Sequence, residues 1–129
     1  TNTVLCQQLD TIQKTLINLM GEIATKPEDK KEYEQSSFNK LTKSNVQQIE
    51  EWIKQLESKG ISFKDWAIPG KSIPSAYLDF ARTVCRRAER SVVSILDQTV
   101  SETSQPIIYL NRISDLLWLM ARSIEQSQN

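Results

Sequence analysis

The chain has 129 residues, and only 3 of them are Gly and 4 are Pro. So few turn-forming residues exclude an all-β fold of this length, which needs many short connections, and they favour helices. The formal net charge is zero, so no overall field attracts nucleic acid or an anionic membrane. With no His and only 2 Cys, most metal sites and most general-base arrangements are excluded as well, and we expect a reducing compartment.

The cationic residues are divided between the two halves of the chain. All lysines lie at or before Lys71 and all arginines at or after Arg82, and four of the arginines lie between Arg82 and Arg90. Arginine presents a planar fork that binds phosphate or carboxylate through paired hydrogen bonds, whereas lysine suits a solvated surface. Any anion site is therefore expected in the second half.

The beginning of the chain predicts one long helix followed by a surface loop. Leucine and isoleucine recur every three or four residues from Leu5 to Ile23, which predicts a helix from about Thr3 to Ala24. Residues 25 to 43 are polar and charged and predict a weakly ordered surface loop. No apolar run approaches membrane-spanning length and nothing resembles a signal peptide, so we expect a cytoplasmic protein, or a mitochondrial one in a eukaryote.

A second, shorter helix and an aromatic connection follow. Ser44 and Gln47 have capping-box spacing, and Gly60 suits a left-handed helix end, so a helix is predicted from about Asn45 to Lys59. The next stretch, GISFKDWAIPGKSIP, holds two prolines and two glycines and reads as a connection that carries Phe63 and Trp66.

Two further helices complete an all-α prediction. Pro74 suits a first helical turn, and Tyr77, Ala81, Val84, Ala88 and Val92 keep a helical period as far as about Gln98. A polar break precedes Pro106, and the last helix, which ends near Gln126, is defined by an apolar stripe of Ile107, Leu110, Ile113, Leu117, Met120 and Ile124. Four substantial helices in one domain covering residues 1–129, joined by short connections, predict an antiparallel helical bundle.

The third helix carries a row of arginines. Arg82, Arg86 and Arg90 are spaced by four residues, with Arg87 beside them and Glu89 three residues from Arg86. Like charges at this spacing repel by about 0.2–0.5 kcal/mol per pair on an isolated helix, so the row favours acidic partners or a bound polyanion. An ordinary solvated face with surface salt bridges remains the alternative reading of this row.

The last helix carries a second polar stripe. Asn111, Asp115 and Arg122 fall on one side, and Arg112 pairs by spacing with Asp115. If the third and fourth helices are antiparallel, the two stripes line one groove suited to a phosphate chain. The alternative is that Arg112 and Asp115 form an ion pair at the helix surface or at an interface.

For the remaining aromatic and sulfur residues, a role in packing is considered beside a functional one. Trp52 and Trp118 are interpreted as packing, whereas Trp66 either covers a flat apolar ligand or anchors its loop. Cys85 is interpreted as a small buried residue without a chemical role. The chain contains neither GxxxxGK[ST] nor GxGxxG, so a P-loop or Rossmann nucleotide site is not encoded.

Two motifs together resemble a known enzyme family. Residues 81–93 read ARTVCRRAERSVV and residues 109–122 read YLNRISDLLWLMAR, and both resemble the paired signatures of the PduO-type ATP:cob(I)alamin adenosyltransferases. The similarity extends upstream through WAIPGKSIPSA and LDTIQKTLINLMGEIAT, so it covers most of the chain.

The resemblance implies a fold, a reaction and a set of site residues. It implies a five-helix bundle that assembles as a homotrimer, binds ATP (with Mg²⁺) and cobalamin between subunits, and transfers the 5′-deoxyadenosyl group to Co(I), a reaction of the EC 2.5.1 class. The expected partners beyond these are a cobalamin reductase and a downstream adenosylcobalamin-dependent enzyme, with neither nucleic acid nor a membrane involved. The ATP-binding positions are implied to be Arg86, Arg87, Glu89, Arg90 and Asn111.

The same resemblance assigns more specific roles. Arg90 and Arg86 are the implied catalytic residues, and Arg86 is also implied to join one subunit to the next through an acidic partner. Trp66, where phenylalanine is usual, is implied to press on the lower face of the corrin and keep cobalt four-coordinate. Arg82, Arg112 and Asp115 are expected to support the site or a subunit interface, and no protein ligand to the metal is expected.

The chain departs from the family at its front. Family members begin with a phosphate-gripping segment similar to TKTGDDGTT and an acidic DELN-like motif, and neither occurs in these residues. We expect either the ordered part of a longer protein or a shortened homologue. Gly70 and Lys71 replace the usual double glycine.

Two other classes of function compete with the enzyme. A noncatalytic bundle would use the arginine face to bind a corrinoid or a protein. A nucleic-acid binder would use the same row, but the zero net charge and the lack of aromatic residues among the basic ones disfavour it.

Overall fold

The computed structural model describes residues 2–25, 27–36, 40–62, 67–95 and 104–127. Over these residues the chain forms five α-helices and one 3₁₀ turn and no strand, which confirms the all-α prediction. Trp66 and Phe63 lie outside the described residues, and so does the predicted end of the third helix at Gln98.

Helix α1 spans Thr3–Ala24. Asn2 caps it, because the Asn2 Oδ1 accepts a hydrogen bond from the Leu5 N–H at 3.0 Å. Its buried side chains, Leu5, Ile12, Thr15 and Leu19, recur with helical spacing and face the core. The predicted bounds of this helix are confirmed.

The stretch expected to be a surface loop contains a 3₁₀ turn at Pro27–Asp29 and a short helix, α2, at Lys30–Glu34. None of the α2 side chains is buried, but two contacts hold this stretch against α1. The Tyr33 hydroxyl lies 2.9 Å from where a Cβ on Gly21 would stand, so a larger residue at position 21 would displace the Tyr33 side chain. Glu22 accepts a hydrogen bond from the Leu41 N–H at 2.7 Å.

Helix α3 spans Lys43–Ser58, two residues earlier than predicted. Its capping residue is Thr42 rather than Ser44, because the Thr42 N–H donates to the Asn45 Oδ1 at 2.8 Å. Gly60 has a φ of 86°, as expected for the left-handed residue after a helix.

Helix α4 spans Ile73–Ile95, with Pro74 in its first turn as predicted. The Ser72 N–H donates to the Ser75 Oγ at 3.2 Å, and the Ser75 N–H donates to the Ser72 Oγ at 3.3 Å. This reciprocal pair satisfies donors that the first helical turn leaves free.

The core-facing side of α4 differs from the predicted stripe. Leu78 and Val92 are buried, and Ala81, Cys85 and Ala88 pack against the core. Tyr77 and Val84 of the predicted stripe are exposed instead. The helix has two apolar sides, and the helical period alone does not tell which of them faces the rest of the chain.

Helix α5 spans Gln105–Ser127 and lies at the centre of the fold, in contact with α4, α3 and α1. Its buried residues go beyond one stripe and include polar and charged side chains. They are Tyr109, Leu110, Ile113, Ser114, Leu116, Leu117, Leu119, Met120, Ala121, Arg122 and Glu125. A helix buried on most of its circumference is typical of a central position.

Helices α4 and α5 run antiparallel, and the packing of the other long helices on α5 confirms the predicted helical bundle. Asp79 of α4 contacts Arg122 of α5, and Glu89 of α4 contacts Asn111 of α5. Residue numbers increase along α4 while the numbers of the partner residues on α5 decrease, so the two helices run in opposite directions. None of the described helices is long and apolar enough to cross a membrane.

Candidate functional site

One polar cluster forms where the second half of α4 meets the first half of α5. The Arg86 Nη1 donates to the Glu89 Oε1 at 3.3 Å, and the Asn111 Nδ2 donates to the Glu89 Oε2 at 3.0 Å. One carboxylate thus connects an arginine of α4 with an amide of α5. The antiparallel packing of these two helices brings together residues that are 22 positions apart in sequence.

A second ion pair lies beside this carboxylate on α5. The Arg112 Nη1 donates to the Asp115 Oδ2 at 2.7 Å, and the Arg112 Nε is 3.7 Å from the Glu50 Oε1 of α3. Burial raises the pKa of the Asp115 carboxyl, while the positive charges of Arg112, Arg86 and Arg82 act in the opposite direction. The electrostatic effect of Arg86 and Arg82 places Asp115 within the field of the arginine row.

The arginines of the row differ in exposure. Arg82 is half-buried, whereas Arg86, Arg87 and Arg90 are exposed on the surface of α4. Exposed guanidinium groups are free to meet a ligand from solvent, and Glu89 restricts the orientation of Arg86. The cluster therefore offers cationic donors on one side and a neutral amide on the other, an arrangement suited to a phosphate chain.

The structure also brings into contact a group of residues whose contact the sequence spacing did not predict. Arg122, predicted beside Asn111 and Asp115, instead bonds Asp79 of α4 and Glu125 of its own helix. The sequence contains a weak signal for this, since Arg122 and Glu125 are three residues apart. Their pairing with Asp79 follows only from helix packing.

A cavity of about 300 Å³ opens beside Arg122. Its walls come from the residues after α3, from the connection before α4 and from the end of α5. The lining residues are Gly60, Ile61, Ser62, Ala67, Ile68, Lys71, Trp118, Arg122, Glu125 and Gln126. Ala67 and Ile68 directly follow Trp66 in the chain, so the cavity adjoins the connection for which a ligand-covering role was predicted.

The surroundings of Trp52 and Cys85 agree with the packing roles that the sequence predicted for them. Trp52 is partly buried against the core. Burial raises the pKa of the Cys85 thiol, as expected for a small buried cysteine and not for a reactive one. Among the described residues, no group of three or more metal-binding side chains occurs.

The comparison with known proteins gives one consistent result. The sequence profile of the family described as cobalamin adenosyltransferase matches residues 1–124. The chain is 32% identical over 115 residues to the corrinoid adenosyltransferase of Mycobacterium leprae, covering 88% of this chain and 60% of that protein. It is 32% identical over 116 residues to the cobalamin adenosyltransferase of Cupriavidus metallidurans, covering 90% of this chain and 57% of that protein.

A third relative, the corrinoid adenosyltransferase of Bacillus subtilis, is 35% identical over 121 residues. That match covers 93% of this chain and 58% of the relative. The chain therefore spans about three fifths of the length of these curated relatives.

Proposed function

Because the chain belongs to the cobalamin adenosyltransferase family, we propose that the protein transfers the 5′-deoxyadenosyl group of ATP to cob(I)alamin, yielding adenosylcobalamin and triphosphate. The observation that carries this proposal is the Glu89 carboxylate, which joins Arg86 of α4 to Asn111 of α5. These three residues are all positions at which the family resemblance implies ATP binding. The relatives named above are described as adenosyltransferases of corrinoids or cobalamin, which supports the same reaction.

The proposed chemistry assigns the arginines to the leaving group. Co(I) attacks the 5′ carbon of the ribose, and the triphosphate that departs carries growing negative charge. Arg86 and Arg90 are proposed as the catalytic residues that stabilise this charge, with Arg87 as a further ATP contact. Guanidinium groups oriented before the reaction do so without reorganising, and the bond from Arg86 to Glu89 supplies such an orientation.

The neutral and acidic residues are proposed to complete the ATP site. Asn111 offers an amide that donates or accepts, and Glu89 fixes it at 3.0 Å. Arg82, Arg112 and Asp115 lie next to these groups, and we assign them a supporting role through charge. ATP enters as its Mg²⁺ complex, whose metal ion offsets part of the triphosphate charge.

Cobalamin is proposed to bind toward the opposite end of α4. The cavity beside Trp118 is lined by Ala67 and Ile68, which follow Trp66, and Trp66 is the residue expected to press on the lower face of the corrin. Asp79 at the cavity end and Glu89 at the arginine end are ten residues apart on α4, or about 15 Å along the helix axis. The proposed ATP and cobalamin sites therefore lie at different positions along α4.

A homotrimer is proposed because α4 is apolar on its outer side as well. Ile73, Tyr77, Phe80 and Val84, which we name the outer stripe, recur every three or four residues and are 74%, 72%, 67% and 37% exposed. A helix that is apolar on opposite sides is normally buried on both. The outer stripe continues toward Arg87, so a neighbouring subunit covering it would lie beside the ATP site.

The proposal is tested by an anaerobic assay of the purified protein with chemically reduced cobalamin, with and without ATP. We expect ATP-dependent loss of the Co(I) absorbance and formation of adenosylcobalamin. Arg90→Ala is expected to leave the helical content unchanged, because Arg90 is exposed, and to lower the rate by a factor of about 10²–10³, typical for removal of a donor that stabilises transition-state charge.

Two outcomes would contradict these assignments. An active Arg90→Ala protein would remove Arg90 from the catalytic residues. Binding of cobalamin by the wild-type protein without transfer, in the presence of ATP, would favour the noncatalytic corrinoid-binding bundle instead.

A further inference from the structure

The buried guanidinium of Arg122 is held between carboxylates of two helices. The Arg122 Nη2 donates to the Asp79 Oδ2 of α4 at 2.6 Å and to the Glu125 Oε1 of α5 at 3.0 Å, and the Arg122 Nε donates to the Glu125 Oε2 at 3.1 Å. The three side chains are only 9%, 11% and 8% exposed. We name these residues the Arg122 network.

The geometry of this network leaves Arg122 one orientation. Glu125 takes a paired fork of two hydrogen bonds, and Asp79 fixes the same guanidinium from the neighbouring helix. A charged group that is buried and bonded in this way does not change its rotamer without breaking ion pairs in a region of low dielectric. The network is therefore a rigid point between α4 and α5.

The Trp118 ring packs against the guanidinium of Arg122. The Arg122 guanidinium carbon lies 5.0 Å from the centre of the Trp118 ring, and the two residues are one helical turn apart on α5. A guanidinium over an indole face is attracted by the ring quadrupole. Both side chains line the 300 Å³ cavity, so the network fixes the position of an aromatic wall.

We propose that Arg122 is a positioning residue for the cobalamin substrate: clamped by Asp79 and Glu125, it holds the Trp118 indole in place as a wall of the cavity. This inference rests on the proposed function, because it takes the cavity to be the side on which cobalamin binds. Cobalamin is a large, rigid ligand, and a wall that shifts by even 1 Å changes how it fits.

Arg122→Lys tests the role of the planar fork. Lysine keeps the positive charge between the two carboxylates but lacks the paired donors and the flat surface that stacks on an indole. We expect the variant to fold, to raise the KM for cob(I)alamin about tenfold and to weaken the four-coordinate cob(II)alamin spectrum, while its KM for ATP stays within about twofold of wild type. Trp118→Leu should give the same pattern.

A double variant and a core control separate positioning from stability. If Arg122 acts through Trp118, the Arg122→Lys, Trp118→Leu double variant is no worse than Trp118→Leu alone. Ile49→Val, in the buried contact between α3 and α5, lowers stability away from the cavity and should leave both KM values unchanged.

Several results would overturn the inference. A folded Arg122→Lys protein with a wild-type cobalamin KM and spectrum would do so, and so would equal losses for ATP and cobalamin. If Arg122→Lys does not fold, an unchanged cobalamin KM in Trp118→Leu overturns it. A wild-type protein that does not bind cobalamin overturns the proposed function itself, whereas a binding wild type beside an unaffected variant overturns this inference alone.

Discussion

Glu89 uses each oxygen of its carboxylate for a different helix. Oε1 accepts from Arg86 one turn away on α4, and Oε2 accepts from Asn111 on α5. The first contact is predictable from spacing, because residues three apart are neighbours on a helix. The second requires the packing of two helices, and it places a guanidinium and an amide at fixed positions around one acid.

Replacing Glu89 by glutamine tests this arrangement. The amide keeps the shape of the side chain, but its NH₂ group faces either Arg86 or Asn111, both of which donate. The substitution disturbs the positions of Arg86 and Asn111, and a shift of about 1 Å in groups that contact a substrate is costly, so we expect the KM for ATP to rise about tenfold or more. The ion pair between Arg86 and Glu89 is partly exposed, so the free energy of unfolding should change by less than about 1 kcal/mol.

Asp10→Asn is the matched control, because Asp10 forms an ion pair of 3.0 Å with Lys14 on the exposed side of α1. It removes a carboxylate of the same kind far from the cluster and should alter neither stability nor the KM for ATP. A Glu89→Gln protein that binds ATP as well as the wild type would show that the carboxylate does not organise the site.

Helix α5 is the element on which the other long helices pack. Its apolar period predicted one stripe that included Leu110, Ile113 and Leu117, yet Leu116 and Leu119 are also fully buried. A helix at the centre of a bundle meets neighbours on several sides, so residues off the main stripe become core residues too. The extent of the stripe was therefore underestimated from the period alone.

Leucine-to-alanine substitutions on α5 measure this directly. Leu116→Ala and Leu117→Ala should each lower the free energy of unfolding by about 2–5 kcal/mol, because each removes buried methyl groups and leaves a cavity. Ile17→Ala, at an exposed position of α1, should change it by no more than about 0.5 kcal/mol. Denaturant unfolding monitored by circular dichroism gives these values, and a Leu116→Ala protein as stable as the Ile17→Ala protein would contradict the central position of α5.

The molecule as a whole leaves a large apolar surface uncovered. The outer stripe of α4 consists of four exposed side chains, and α1 exposes Ile17 and Met20. Contiguous exposed apolar patches on soluble proteins mark interaction sites. The proposed homotrimer covers the outer stripe with a second copy of the chain.

Phe80→Glu tests this assembly. The side chain is exposed in the single chain, so the fold of each subunit should survive, while a buried carboxylate at an interface would be strongly unfavourable. We expect light scattering to detect monomers in place of trimers and adenosyl transfer to fall about tenfold or more, because a site shared between subunits is lost with the interface.

Thr83→Glu, an exposed position on α4 outside the outer stripe, is the control and should remain trimeric. A wild-type monomer or a trimeric Phe80→Glu protein would contradict the assignment.

The amino-acid pattern alone specified the local features of this protein. Short-range rules that depend on neighbouring residues predict the bounds of α1, the place of Pro74 in the first turn of α4 and the left-handed Gly60. The arginine row between Arg82 and Arg90 follows in the same way, because a four-residue spacing puts side chains on one helix face. The motifs that resemble the family are also local, and the profile match over residues 1–124 establishes the family.

Helix packing decided the features that join distant residues. It selected Leu78 and Cys85 rather than Tyr77 as the inner side of α4, since both sides are apolar and only the neighbouring helices distinguish them. Arg122 was predicted to line a polar groove, but helix packing buries it in contact with Asp79, 43 positions earlier. Periodicity describes one helix at a time, whereas the choice of a buried face and the partner of a buried charge depend on the relative placement of two helices.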